Sequence, residues 1–313
     1  MLSLLWHVFT QVLVPILVMF TCGWVLDRRF RLDLDTVVKV SIHLFVPAFI
    51  FVHLVEAQLA GGLAARIVGF TICMVAGLFL AAALVARCAR YNRSETRTLQ
   101  MASMFYNSAN YGIPLLALAY GNVAAPLQVF VILVQNIGNF TLGVFLASSA
   151  QHRGWRAILP MLRQTSIWAV GVALLIRAFH FPVQELRWLW VPANYFADGL
   201  VGFALITLGV QLSQTEHRQK LSRISWALVL RLVGGPLLAW PLTLLFGFRG
   251  ETAAIMILSA SFPTAVNTAL IAHEFNADPH FASAAVFWST IFSMLTVTLL
   301  IAVLRMPGVV AAF

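Results

Sequence analysis

Ten apolar segments, each long enough to cross a lipid bilayer, follow one another along this chain of 313 residues. A membrane-spanning α-helix needs about 20 apolar residues, and the connections here are too short for a separate soluble domain. Charged residues make up 10% of the sequence, whereas about 25% is usual in soluble domains. We therefore predict an all-α integral membrane protein. The segments are 5–26, 36–55, 66–88, 98–120, 124–148, 165–181, 189–213, 224–246, 251–273 and 280–304.

Arginine and lysine residues are divided unequally between the two sides of this predicted bundle. The odd-numbered connections carry thirteen of them, and the even-numbered connections with the C-terminal tail carry five. Because cytoplasmic connections carry the excess of positive charge, both termini are predicted to be non-cytoplasmic. The bias also accounts for the net charge of +9, so no nucleic-acid partner is predicted. We expect the protein to lie in a bacterial inner membrane.

The fourth and ninth segments are related by an internal repeat with a shift of 153 to 154 residues. Asn110 and Pro114 fall onto Pro263 and Asn267, so that asparagine and proline are four positions apart in both segments, in exchanged order. Because five spans are an odd number, the second half enters the membrane from the opposite side. This predicts a 5+5 inverted repeat, which is typical of many secondary transporters. The predicted halves are residues 1–150 and 151–313.

Polar, glycine and proline residues interrupt the middle of both related segments. Since proline removes a helix hydrogen bond, we predict that helices 4 and 9 are broken and cross each other. Each break exposes a half-helix N-terminus with about half a positive charge, and two such ends would form an anion site. The alternative is a pair of proline kinks that asparagine and serine side chains satisfy. The predicted binding residues are Asn107, Asn110, Pro114, Ser261, Pro263 and Asn267.

Polar residues in the fifth and tenth segments are a second signal. Two sets of three residues share the spacing i, i+1, i+4, so the first and last of each set lie on one helix face. They complete the binding site in one interpretation, and form hydrogen bonds between helices in the other. The sets are Gln135, Asn136 and Asn139, and Ser289, Thr290 and Ser293; all but Ser293 are included in the predicted site.

Ionisable residues inside predicted spans are functional candidates, because burying a charge in lipid is expensive. Asp198 and Arg231 are explained either as a structural ion pair or by a role of Asp198 in proton coupling or substrate pairing. His43 and His53 could titrate near neutral pH, although a hydrogen-bonded interior histidine is the simpler interpretation. The sequence contains no ATP-binding, serine-hydrolase or zinc-protease motif. No enzyme activity, cofactor or metal site is predicted.

Two stretches of the sequence resemble a known family. Residues Asn107–Gly121, with the run Asn-Ser-Ala-Asn-Tyr-Gly-Ile-Pro, and Phe262–Asn267, with the run Phe-Pro-Thr-Ala-Val-Asn, are similar to the auxin efflux carrier family. That family includes the plant auxin exporters and bacterial malonate and malate permeases. The resemblance covers essentially the whole chain. Because no long connection follows the fifth span, the chain resembles the compact bacterial members.

The resemblance implies an elevator-type carrier. Spans 1, 2, 6 and 7 would form its scaffold, and spans 3–5 and 8–10 would form its mobile transport part, with the paired asparagine and proline residues at the crossing. Related bile acid carriers bind sodium through an acidic residue and a glutamine in the ninth span. No carboxylate lies between Glu251 and Glu274 here, so sodium coupling is not expected.

Two functions are consistent with these features. The first is secondary active transport of a small organic anion, a malonate-like or auxin-like mono- or dicarboxylate, with proton coupling through Asp198. The second is a membrane receptor that senses a ligand in the same cleft without moving it. A homodimer that associates through the scaffold is expected for an elevator-type carrier.

Overall fold

The computed structural model describes residues 10, 14–56, 61–148, 165–214, 221–275 and 277–306. These residues are helical apart from turns and one isolated β-bridge. Five of the thirteen cationic residues in the odd-numbered connections lie outside the described residues: Arg153, Arg156, Arg163, Arg218 and Lys220. The α-helices are α1 (Val14–Phe30), α2 (Leu34–Val40), α3 (Val46–Glu56), α4 (Gly61–Cys88), α5 (Arg93–Met104), α6 (Gly112–Tyr120), α7 (Ala124–Gly138), α8 (Val144–Ser148), α9 (Thr165–Ala178), α10 (Arg187–Gln214), α11 (Leu221–Val229), α12 (Gly235–Leu245), α13 (Gly250–Ser259), α14 (Val266–Glu274) and α15 (Pro279–Leu304).

Five helical stretches are long and apolar enough to cross a membrane, as expected for a multi-pass membrane protein. Three of them contain an internal π-helical turn, which joins α2 to α3, α7 to α8, and α11 to α12. Two further apolar helices are shorter. The count of ten spans and the inverted repeat remain predictions. The five stretches are Leu34–Glu56, Gly62–Cys88, Gly112–Ala147, Leu221–Leu245 and Pro279–Leu304, and the shorter helices are Ile167–Ala178 and Gly250–Ser259.

Helix α1 packs along helix α10 with two glycines at the contact. A Cβ atom at Gly23 would overlap the backbone carbonyl oxygen of Ile206, and a Cβ atom at Gly209 would overlap that of Phe20. Small residues allow membrane helices to approach this closely. The two helices are therefore in contact at the level of their backbones.

Two main groups of buried apolar residues hold the helices together. One lies among α4, α5, α7, α13 and α15 and includes the buried Phe70, Phe105 and Phe262. The other joins α3, α9 and α10 to α6 and α7, and includes Ile50 and Ile132. The second group therefore lies between helices that the sequence predicts for the scaffold and helices that it predicts for the transport part.

Three arginines on the predicted non-cytoplasmic side donate hydrogen bonds to the C-terminal carbonyls of neighbouring helices. Arg177 contacts the carbonyl oxygens of Leu54 at 2.9 Å and Val55 at 3.3 Å. Arg66 donates to the two carbonyls that directly follow α12, and Arg305 donates to the Ala119 carbonyl near the end of α6. A cation is favourable at a helix C-terminus because of the partial negative charge there. These arginines therefore act as helix caps.

An ion-pair network joins the starts of α5, α11 and α15. The Arg223 guanidinium lies 2.9 Å from the carboxylate of Glu95 and 2.9 Å from that of Asp278. The backbone amide of Asn92 donates to Glu95 at 3.0 Å, and this bond, together with Arg223, holds the pKa of Glu95 below its usual value. The network ties together three elements that are distant in sequence.

Replacing Arg223 with glutamine is expected to lower the free energy of unfolding by about 0.5–1 kcal/mol, because both ion pairs are lost and both are partly screened by water. Since the pKa of Glu95 is lower in the folded protein, its contribution is present above about pH 4 and is lost as the pH falls through the folded pKa. Thermal unfolding in detergent at pH 7 and pH 3 measures both effects. Exposed Arg87 provides the control, Arg87→Gln. An equal difference at both pH values would contradict the prediction.

Candidate functional site

Both predicted helix breaks are present, and the two broken segments cross. Helix α5 ends at Met104 and α6 begins at Gly112, while α13 ends at Ser259 and α14 begins at Val266. Between these half-helices the chains form an antiparallel bridge at Tyr106 and Thr264. The backbone amides of one break donate to carbonyls of the other. Each break therefore satisfies some of the backbone hydrogen-bonding groups that the other leaves free.

Two hydrogen bonds define the crossing. The amide of Asn107 donates to the Pro263 carbonyl at 2.8 Å, and the amide of Ala265 donates to the Phe105 carbonyl at 3.0 Å. Proline has no amide hydrogen, so Pro263 takes part only as an acceptor. Pro114 is the third residue of α6, where proline is tolerated, and it therefore lies in the first helical turn after the break.

A cavity of about 40 Å³ lies beside this crossing. Its wall combines the loop before α6, the start of α14 and the polar face of the fifth predicted span, with Val46 of α3 opposite. Both half-helix N-termini therefore contribute to one cavity, called here the amide cavity. It is lined by Val46, Tyr106, Asn107, Ser108, Ala109, Asn110, Asn136, Asn139, Ala265, Val266 and Asn267.

Two asparagines that line the amide cavity are buried, and one polar atom of each side chain has no hydrogen-bond partner among the described residues. Asn107 is 6% exposed and Asn139 is 2% exposed. The Nδ2 atom of Asn107 and the Oδ1 atom of Asn139 have no hydrogen-bond partner among the described residues. Buried polar atoms nearly always have partners, so these two atoms are suited to a molecule in the cavity.

The other end of Asn107 is fixed by the fold. Its Oδ1 accepts from the backbone amide of Tyr111 at 3.3 Å, which holds the side chain at the start of α6. The first amides of α6 are already used, since Gly112 donates to the Asn107 carbonyl and Ile113 to that of Ala109. The Asn107 side chain is therefore a donor at this half-helix end that the protein leaves available.

Asn110 makes a contact outside the crossing. Its Oδ1 accepts from the hydroxyl of Ser41 at 3.2 Å, and Ser41 is fully buried in the π-helical turn between α2 and α3. This bond connects the second predicted span to the broken fourth one.

The remaining predicted site residues do not line the amide cavity, and two of them accept hydrogen bonds from the backbone of the crossing. The Oε1 atom of Gln135 accepts from the amide of Tyr106 at 3.2 Å, and the hydroxyl of Ser289 accepts from the amide of Thr264 at 3.0 Å. Ser261 donates to the Ile257 carbonyl of the preceding helix α13, and Thr290 donates to the Val286 carbonyl of its own helix. The predicted set therefore includes residues that line the cavity, residues that bind the backbone of the crossing, and residues that bond only to carbonyls four positions earlier.

The structure corrects the interpretation of Asp198 and Arg231 as an ion pair. The fully buried Arg231 guanidinium donates to the carbonyl of Ser103 at 2.6 Å and to that of Ala260. Asp198 is exposed and lines another part of the molecule. The sequence argument for the pair is that both residues are isolated charges in neighbouring predicted spans, and this does not determine which helices are in contact.

Asp198 lines a second cavity, called here the Asp198 cavity, between α3, α10 and the start of α7. It consists of two adjoining volumes of about 190 and 380 Å³, which share His53, Asn122 and Asp198. Glu56 and Asn194 also line the larger volume. Three titratable side chains therefore face one space.

Gln128 connects the Asp198 cavity to the crossing, and sequence reasoning missed it. Its Nε2 donates to the Ser108 carbonyl at 2.8 Å, and its Oε1 accepts from the Ser259 hydroxyl at 2.8 Å. The side chain is 1% exposed and lines the smaller volume of the Asp198 cavity. The sequence signal that could have identified Gln128 is its position as an isolated amide side chain in an apolar predicted span.

Comparisons with known proteins indicate the family of this chain. The family model described as "Membrane transport protein" matches residues 7–156 and 155–301. The chain is 26% identical over 295 residues to an "Uncharacterized transporter" of Methanothermobacter thermautotrophicus, covering 93% of this chain and 96% of the relative. It is also 26% identical over 248 residues to a protein of Rhizobium meliloti named "Putative malonate transporter", covering 75% and 73%.

Proposed function

This chain belongs to the Membrane transport protein family, and we propose that it is a secondary transporter of a small organic anion. The observation that carries this proposal is the amide cavity, where two half-helix N-termini meet the free Nδ2 donor of the buried Asn107. Each N-terminus contributes about half a positive charge. Such a site favours a carboxylate over a cation.

In this proposal Asn107 donates to the substrate carboxylate through its free Nδ2. Asn110, Asn136, Asn139 and Asn267 line the same space and orient the rest of the substrate. The cavity of about 40 Å³ has room for a group of carboxylate size, since one water molecule needs about 10–15 Å³ of such volume. Malonate-like dicarboxylates and auxin-like monocarboxylates are the substrate class.

Alternating access follows an elevator mechanism in this proposal. Helices α1–α3, α9 and α10 form the scaffold, and the transport part consists of α4–α8 and α11–α15. The bond between Ser41 and Asn110 and the apolar group that includes Ile50 and Ile132 lie between these two parts. These contacts would have to break and re-form as the transport part moves.

Proton coupling belongs to the same proposal and uses the Asp198 cavity. His53, Glu56 and Asp198 are the titratable groups that line it, and Gln128 connects it to the crossing. A change in protonation there acts on the wall between the two predicted parts of the carrier.

Replacing Asp198 with asparagine is expected to abolish the acceleration of uptake by an imposed pH gradient, while exchange without a gradient continues. The asparagine keeps the shape of the side chain but cannot carry a proton. The measurement is uptake into proteoliposomes with and without the gradient. Glu185→Gln, at an exposed carboxylate outside the Asp198 cavity, is the matched control. Undiminished acceleration in Asp198→Asn would contradict the coupling role.

Counterflow tests the transport proposal itself. Proteoliposomes preloaded with malonate, malate, lactate or indole-3-acetate are given the same compound in labelled form. Saturable counterflow of one acid is expected and establishes a carrier of that class. If folded protein shows no counterflow of any of the four, the transport proposal for this class fails and a receptor function gains support.

Two further experiments test the proposed topology and oligomeric state. Treatment of the same liposomes with a protease from outside tests the proposed non-cytoplasmic termini. Cross-linking tests the proposed homodimer.

A further inference from the structure

Arg231 is a buried cation whose partners are backbone carbonyls. It lies in the π-helical turn between α11 and α12 with no exposed surface. Its guanidinium donates to the carbonyl oxygens of Ser103 and Ala260. In the part of the chain that the structure describes, no carboxylate forms an ion pair with it. A buried charge without a counter-charge is strongly unfavourable, so the surroundings must balance it.

Both carbonyls lie at the C-terminal ends of the broken helices. Ser103 is the penultimate residue of α5, and Ala260 directly follows the last residue of α13. A helix C-terminus carries about half a negative charge. The two ends together therefore match the single positive charge of the guanidinium, while the loop that leads into α6 and the start of α14 line the amide cavity.

The sequence next to Arg231 leaves space for this arrangement. A Cβ atom at Gly235 would overlap both the Ala260 carbonyl oxygen and the Arg231 guanidinium. Tyr106 contacts the cation and also lines the amide cavity: its ring centroid is 4.9 Å from Arg231 Cζ. One residue therefore connects the buried charge to the cavity wall.

We infer that Arg231 is the positioning residue that sets the electrostatic potential of the amide cavity. It neutralises the two half-helix C-termini, so the two N-termini, with a combined charge of about one, dominate in the cavity. The site is thereby suited to a single carboxylate group. The identity of the ligand rests on the proposed function, whereas the sign of the potential does not.

Charged thiol reagents measure this potential without any substrate. Ala109 lines the amide cavity and is only partly buried, so Ala109→Cys is introduced after Cys22, Cys73 and Cys88 have been replaced by alanine. The rates of modification by anionic sulfonatoethyl and cationic trimethylammonioethyl methanethiosulfonate are compared in detergent. Their ratio reports the local potential.

The ratio of the anionic to the cationic rate is expected to fall about tenfold when Arg231→Met is added, as a unit charge within about 10 Å at intermediate dielectric implies. Arg231→Lys keeps the charge and should keep the ratio within about threefold. Arg305→Met is the matched control: it removes an arginine cap from the other end of α6 and should leave the ratio unchanged.

An unchanged ratio in folded Arg231→Met would overturn the inference. Arg231→Gln serves in its place if the methionine variant does not fold. If both neutral variants fail to fold and Arg231→Lys folds, the need for a charge is supported. If the lysine variant also fails, paired hydrogen bonding is what the position requires, and the inference is wrong. Because no substrate is used, a failure of counterflow in the wild type leaves this result standing.

Discussion

Replacing Asn107 with alanine is expected to raise the KM for counterflow by about 10- to 100-fold. The free Nδ2 of this buried side chain is the proposed donor to the substrate carboxylate, and a hydrogen bond to a charged group is worth about 1.5–3 kcal/mol. Each 1.4 kcal/mol corresponds to a factor of ten. The measurement is the concentration dependence of counterflow in proteoliposomes for the acid that the wild type carries.

Two further variants separate binding from folding. Asn107→Ala also removes the acceptor for the Tyr111 amide, so thermal unfolding must be measured beside transport. Asn107→Asp keeps that acceptor and places a negative charge in the amide cavity, and it should be at least as impaired. Thr141→Ala is the control, since this hydroxyl donates to a carbonyl of its own helix. A wild-type KM in folded Asn107→Ala would remove the residue from the proposed site.

Replacing Gly209 with alanine is expected to lower the free energy of unfolding by about 2–3 kcal/mol, as overpacking at a tight contact does. The new Cβ would overlap the Phe20 carbonyl oxygen, and α1 and α10 must move apart to make room for it. The melting temperature in detergent should fall by about 5–10 °C. We expect less monodisperse protein as well.

The same helix provides the matched control. Gly202 also lies in α10, but a Cβ atom there would meet nothing within 4 Å. Gly202→Ala should leave stability unchanged or raise it by about 0.5–1 kcal/mol, because alanine favours the helix. If Gly202→Ala and Gly209→Ala melt at the same temperature, the close approach of the two helices is wrong.

The helix breaks could be predicted because their cause is local. Proline and glycine act within one helical turn, so the polar runs around Asn110 and Pro263 indicated both breaks, and the internal repeat indicated that they belong together. The position of Pro114 differs in detail: it is the third residue of the half-helix after the break. A pattern of residues shows that a helix is interrupted but not on which side of a proline the interruption lies.

The partners of Arg231 and Gln128 could not be predicted because they come from distant parts of the chain. Arg231 contacts residues 128 and 29 positions away, and Gln128 contacts Ser259, 131 positions away. Which helices are neighbours is decided by packing, and a single sequence contains little information on it. The same limit applies to the sequence argument for a pair of Asp198 with Arg231.

The bridge between Tyr106 and Thr264 has a consequence for synthesis of the protein. These residues are 158 positions apart, and at about 5–20 residues per second a ribosome needs about 8–30 s to make the chain between them. During that time the break between α5 and α6 holds backbone groups that lipid cannot satisfy. We expect the insertion machinery or trapped water to cover them until the break between α13 and α14 has been synthesised. A ribosome that stalls within this interval would leave a fragment that membrane proteases can recognise by its unpaired backbone.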